Sequence, residues 1–142
     1  MLGLLQRDGK VVTRVIKDVT SKTLLPIIEK HVTKGSTMFT YDHTPYRNLT
    51  KLGYDHDYVK HGVHEYVRGV VNTNSIEGYW SNLKRGIIGV YHQVSAKHLH
   101  RYCNEFSYRL NTRTLKEHER FADILTRVDE TRLRYSSLIE KE

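Results

Sequence analysis

The sequence predicts an α/β domain with a mixed sheet. Three observations carry that expectation. β-Branched runs flank an Asp-Gly pair near the amino terminus, short apolar strand patterns then alternate with a helical one, and from Thr73 onward the periodicity is helical.

The chain opens with "LGLLQ" and "KVVTRVIKDV" on either side of "RDGK". Asp8-Gly9 stands where a tight hairpin requires positive φ, so residues 2 to 18 are read as two strands around a turn. "TSKTLLPIIEKHVTKG" follows as a helix, with Thr20 or Ser21 as cap and Leu24, Leu25, Ile27, Ile28 and Val32 on one side. Pro26 places its first turn nearby, and Gly35 ends it. "STMFTYD" is a short strand ending on Asp42. In "HTPYRNLTKLG", Thr44 and Pro45 open a short helix that Gly53 closes, and "YDHDYVKH" is a further strand.

After Thr73, Ile76, Trp80, Leu83 and Ile87 fall at i, i+4, i+7 and i+11, which makes one buried stripe. Leu99, Cys103, Phe106 and Leu110 repeat the offsets in a second helix that Ser95 is placed to cap. A third helix is expected around Glu117 to Val128, followed by the charged tail "DETRLRYSSLIEKE". The expected division is therefore a core over residues 1–128 and a tail over 129–142.

Composition narrows the function classes. The 142 residues carry 23 Lys+Arg against 16 Asp+Glu, a net charge of +7, with ten tyrosines alongside, so a polyanionic partner is plausible. Between Lys84 and Arg113 the cations are Lys84, Arg85, Lys97, Arg101, Arg109 and Arg113, opposed only by Glu105. Cys103 is the single cysteine, which rules out an internal disulfide or a CxxC zinc knuckle. No apolar run approaches the roughly 18 to 20 residues needed to cross a bilayer, and a cytoplasmic protein, nucleoid-associated when bound to DNA, is expected.

Two carboxylates are candidates for chemistry. Asp42 lies at the carboxyl end of a strand, where open α/β sheets place functional groups, and Glu77 lies early in a helix 35 residues later. Hard oxygen ligands of this kind hold the divalent ions used in phosphoryl transfer. Seven residues at about 100° each bring Lys84 to within roughly 20° of Glu77, about 10 Å further along the helix. Ser81 shares that face. A structural explanation covers the same residues: "Asn74-Ser75-Ile76-Glu77" has capping-box spacing, Asp42 can start the next helix, and Lys84 can be a solvated charge.

"YHQVSAKHLHRY" offers Tyr91, His92, Lys97, His98 and Arg101 for phosphate contact and stacking, or for packing between helices. His56, His61 and His64 with Asp55 and Asp57 follow no standard ligand spacing and are read as ordinary strand and loop residues.

"GSTMFTYD", "YVKHGVHEYVRG" and the block "TNSIEGYWSNLKRGIIGVYHQVSAKHLHRYCNEFSYRLNTR" resemble the catalytic core of bacterial insertion-sequence transposases of the DDE type, in the ISXO-like group. The resemblance runs from about residue 3 to residue 125. It implies an RNase H-like fold, Mg²⁺ or Mn²⁺ held by an acidic cluster, and strand cleavage and transfer on element ends. It places Asp42 at the second catalytic Asp, Glu77 at the third acidic position, and Lys84 where a lysine holds terminal DNA, with Arg85 beside it. Asn72 stands where the family usually has His, and His43 where an acidic residue commonly follows the Asp.

The family's first Asp is expected on a strand ahead of the opening hairpin. Neither Asp8 in the hairpin turn nor Asp18 after the second strand is placed to replace it. The expectation is thus a truncated transposase core, inactive alone and able to bind DNA, as a homo-oligomer or with a full-length transposase. The alternative is a non-catalytic DNA-binding or dimerising remnant that interferes with a full-length transposase.

Overall fold

The computed structural model describes residues 1–59, 67–68, 71–128 and 135–139. The chain forms two compact units, Met1–Asn111 and Thr112–Glu142.

In the first unit, β1 (Leu2–Leu5) and β2 (Val11–Arg14) form an antiparallel hairpin in which Leu5 faces Val11. The Gly9 N–H donates to the Gln6 carbonyl at 2.9 Å, and positive φ falls on Asp8 (55°) alone of the turn's Asp-Gly pair. Aspartate tolerates the left-handed region because its short polar side chain hydrogen-bonds locally. β2 stops earlier than its β-branched run suggests. Beyond it the Asp18 carboxylate accepts from the Thr20 N–H, the Thr20 hydroxyl and the Thr23 hydroxyl, which bends the chain into α1 (Ser21–His31).

α1 buries Leu24 and Ile28, one turn apart. The helix starts where expected, with Thr20 at the N-cap, and Pro26 is its sixth residue, on an exposed position one turn past the start. It supplies no N–H to the Lys22 carbonyl there, on the face of the helix open to solvent.

β3 (Thr37–Tyr41) pairs with β4 (Asp55–Val59) in parallel, with Tyr41 opposite Val59. The Asp42 N–H donates to the Val59 carbonyl at 3.1 Å and prolongs the ladder by one rung. Between the strands, the expected short helix is two 3₁₀ stretches, Thr44–Asn48 and Thr50–Leu52, closed by Gly53 at φ 88°. Gly35, also left-handed at φ 82°, donates its N–H to the Gly53 carbonyl at 2.7 Å and joins the two loops.

β5 (Val67–Arg68) and β6 (Val71–Asn72) form a small antiparallel pair. α2 (Asn74–Gly86) leads into a π-helical turn, Ile87–Tyr91, and α3 (Leu99–Asn111) follows. α3 starts three residues later than the Ser95 cap predicts. Ser95 contributes its carbonyl, which accepts from the His98 and Leu99 N–H groups in a preceding turn.

Both strand polarities are present, as a mixed α/β fold requires. Among the described residues they pair as three separate two-stranded ladders rather than one continuous sheet. Side chains connect the first two. Because strand residues alternate in direction, neighbours on β1 enter different cores. Leu4 packs with Ile28, Leu49, Tyr54 and Met38, whereas Leu5 packs with Val11, Tyr79, Leu83 and Cys103. The hairpin thus lies between α1 on one side and α2 with α3 on the other.

The second core contains a polar thread. The Tyr79 hydroxyl donates to the Cys103 carbonyl at 3.1 Å and lies 3.1 Å from Ser107 Oγ, which in turn meets Thr13 Oγ1 at 3.0 Å. At the end of α3, Asn111 clasps β2: its Oδ1 accepts from the Val11 N–H at 2.7 Å and its Nδ2 donates to the Val11 carbonyl at 2.9 Å.

In the second unit, α4 (Glu117–Val128) is opened by Glu119, whose carboxylate accepts from the Lys116 N–H at 2.8 Å. α5 (Tyr135–Ile139) follows. No helix of the described residues is long and apolar enough to cross a membrane.

Candidate catalytic and nucleic-acid-binding site

Glu77 is fixed by its own helix start. Thr73, buried at the N-cap, donates its hydroxyl to Glu77 Oε1 at 2.6 Å, and the Glu77 N–H returns to the Thr73 carbonyl at 3.1 Å. This corrects the capping-box register. The cap is Thr73, not Asn74, so Glu77 is the fourth helical residue and its carboxylate receives a hydroxyl proton instead of reaching back to a cap N–H.

The end of β3 meets this pair through Tyr41, whose hydroxyl hydrogen-bonds with Thr73 and Glu77. Burial, and after it the Glu77 charge, push the Tyr41 phenol above its ordinary pKa. Tyr41 is therefore a neutral donor to the carboxylate at neutral pH. Sequence reasoning missed both Tyr41 and Thr73. The Thr-x-x-x-Glu spacing was the available signal for one, and the position directly before Asp42 for the other.

Asp42 itself is exposed and close to Arg47, with Nη2 to Oδ1 at 3.5 Å. The 3₁₀ stretch that follows has His43 rather than Asp42 at its N-cap, and the Asp42 carboxylate accepts from Arg47 instead. An exposed pair at that distance contributes little to stability. Asp18, by contrast, is occupied at the start of α1, and Asp8 holds the hairpin turn.

Hard carboxylate oxygens suit Mg²⁺ or Mn²⁺, and Mg²⁺ is commonly bound by one or two carboxylates together with substrate phosphates and water. Asp42 and Glu77 each carry oxygens of that kind. Among the described residues no three His, Cys, Asp or Glu side chains gather. His61 and His64 lie outside the described residues. His56 hydrogen-bonds Thr40 Oγ1 at 2.8 Å, and Asp55 accepts from the Thr37 hydroxyl at 3.2 Å, as ordinary strand residues do.

The basic residues fall on either side of the π-turn. Lys84 and Arg85 occupy the last turn of α2, both exposed, and Arg85 donates to Asn82 Oδ1. Glu77 and Lys84 share one continuous helix, as their face-sharing geometry needs. Past the turn, His92 is exposed at φ 59°, while Lys97, His98 and Arg101 are half-buried around the start of α3. His98 Nδ1 is enclosed without a hydrogen-bond partner. Tyr91 donates its hydroxyl to Glu105 Oε2 at 3.0 Å and sets its ring edge-on to Tyr102, so it serves α3 packing.

A small α/β unit that presents a carboxylate and a lysine on one helix face belongs, by its sequence, to the transposases of insertion sequences. The chain is a member of the ISXO2-like transposase domain family, which matches residues 1–111. It is also similar to an uncharacterized transposase-like protein of Haemophilus influenzae, 29% identical over 107 residues that cover 75% of this chain and 85% of that protein. No solved structure matches the chain.

Proposed function

We propose that this chain is an RNase H-like DDE core from DNA transposition, built for metal-dependent phosphoryl transfer on insertion-sequence ends but inactive alone, since neither Asp8 nor Asp18 supplies the first catalytic Asp. The observation that supports this most is the family match across residues 1–111, a span that contains Asp42, Glu77 and Lys84.

In this reading Asp42 and Glu77 are ligands for Mg²⁺ or Mn²⁺. When bound, the ion supplies charge stabilisation at the phosphoryl group and an activated oxygen nucleophile. The residues of the chain do the rest. Thr73 and Tyr41 fix the Glu77 carboxylate by hydrogen bonds, so little ordering remains for DNA binding to impose. Lys84, about 10 Å along the same face, holds the terminal phosphates as a compact cation. Arg85, His92, Lys97, His98 and Arg101 extend the contact to neighbouring phosphates, with Tyr91 bracing the helix that carries the last of them.

The test is incubation of the purified chain with linear DNA carrying the element's ends and Mn²⁺, followed by strand analysis on denaturing gels. Salt-sensitive binding of the ends without nicking or joining is the expected result, and cleavage that disappears in both Asp42→Asn and Glu77→Gln variants would overturn the inactivity of the chain alone. Inhibition of a full-length transposase by the chain in the same assay would replace this reading by that of a non-catalytic, interfering remnant.

A further inference from the structure

The face of α2 that holds Glu77 continues beyond Lys84. Glu77, Ser81 and Lys84 are followed at the same alternation of four- and three-residue steps by Ile88, which enters the π-turn and is 72% exposed. Val90, two residues on, is 69% exposed. Gly89 separates them, and a side chain built on it would meet nothing within 4 Å, so the tip stands in open space.

The turn is nevertheless anchored on both sides. Before it, Gly86 lies directly against the Phe106 ring, where a Cβ would collide. After it, Tyr91 is tied to Glu105 and Tyr102 of α3. Isoleucine and valine are stiff at χ1, so two rigid apolar side chains project from a fixed base.

The surroundings select the partner. Exposed Lys84 and Arg85 precede the tip and exposed His92 follows it. Apolar centres of protein–protein interfaces are depleted in lysine, whereas a cationic rim around an apolar tip complements phosphates around exposed base faces. We propose that Ile88 and Val90 form an apolar wedge that packs against unstacked bases, so that the preferred partner is DNA whose base pairs are open at the contact point. The proposal rests on the DNA reading above and adds the state of the DNA that the site takes.

The experiment is fluorescence anisotropy of the purified full chain with two duplexes of one sequence, one fully paired and one carrying a short mismatched stretch. A 2-aminopurine placed beside the mismatch reports unstacking. Wild type is expected to prefer the opened duplex by roughly tenfold. An Ile88→Ser/Val90→Ser variant, both positions being exposed, is expected to fold normally by circular dichroism and to bind both duplexes with the wild-type affinity for paired DNA. Lys84→Ala should weaken both duplexes alike. A wild type without the preference, or a double variant that keeps it, overturns the wedge while leaving the DNA reading intact. A double variant that keeps the preference and changes oligomeric state on size-exclusion chromatography makes the tip a protein contact, which also overturns it. Absence of salt-dependent binding to either duplex overturns the DNA reading and the wedge together.

Discussion

The Thr73 hydroxyl and the Glu77 carboxylate are joined at 2.6 Å across the first turn of α2, and Tyr41 reaches the same pair from the end of β3. Thr73→Val keeps the shape and deletes the donor from a buried position. A stability loss of about 1–2 kcal/mol is expected by urea denaturation. Combined with Tyr41→Phe in a double-mutant cycle, the two changes should be non-additive by about 0.5 kcal/mol or more, since both act on one carboxylate. Strict additivity would mean that the tyrosine does not share the Glu77 interaction.

Tyr79 is the polar centre of the helix core. Tyr79→Phe removes the donor to the Cys103 carbonyl and the contact with Ser107 Oγ while keeping the ring. The expected loss is roughly 1–2 kcal/mol. Leu83→Ala, one turn away and fully buried, should cost about 2–5 kcal/mol through the cavity it opens. A similar loss for both in thermal melts would contradict this ranking.

Two glycines of α2 should respond oppositely to alanine. Gly78 is exposed, with nothing within 4 Å of an added Cβ, so Gly78→Ala should stabilise the helix by about 0.5–1 kcal/mol. At Gly86 the added methyl meets the Phe106 ring, and Gly86→Ala should destabilise by about 1–3 kcal/mol. Trimming the ring with Phe106→Leu should reduce the penalty of Gly86→Ala relative to its effect in wild type.

His56 gives the fold a pH dependence. Burial holds its imidazole below the ordinary histidine value, with the Asp57 charge opposing that shift. The unfolded chain therefore takes up the proton first as pH falls. The stabilising contribution is complete above about pH 6.5 and is lost as pH drops through the lower folded-state value. The urea midpoint should fall between about pH 7.5 and about pH 5.5, and His56→Gln should flatten that decline.

Periodicity made the helices legible. Ile76, Trp80, Leu83 and Ile87 do line the core, and so do Leu99, Cys103, Phe106 and Leu110. Periodicity gave no sign of the π-turn, nor of Gly86 before it lying against a ring twenty residues away. Tyr79 was hidden for a related reason: its hydroxyl looks unfit for a core until Ser107 and the Cys103 carbonyl arrive to meet it. At the candidate site, helical geometry put Glu77 and Lys84 on one face of α2, while their proposed roles came from the family resemblance. The support of Glu77 by Tyr41 was not readable, since it depends on where a distant strand ends. The pairing of strands into separate ladders was equally out of reach, because single-strand patterns do not encode which edges meet.

The clasp of Asn111 on both backbone groups of Val11 spans 100 residues of sequence, and it sets a timetable for biosynthesis. On the ribosome the amino-terminal hairpin is made first, yet this edge of β2 waits until the last residue of the unit has been added. At about 5–20 residues per second, that interval is roughly 5–20 s. Throughout it a nascent chain carries an open strand edge, the period in which a chaperone or a neighbouring nascent chain has most to capture.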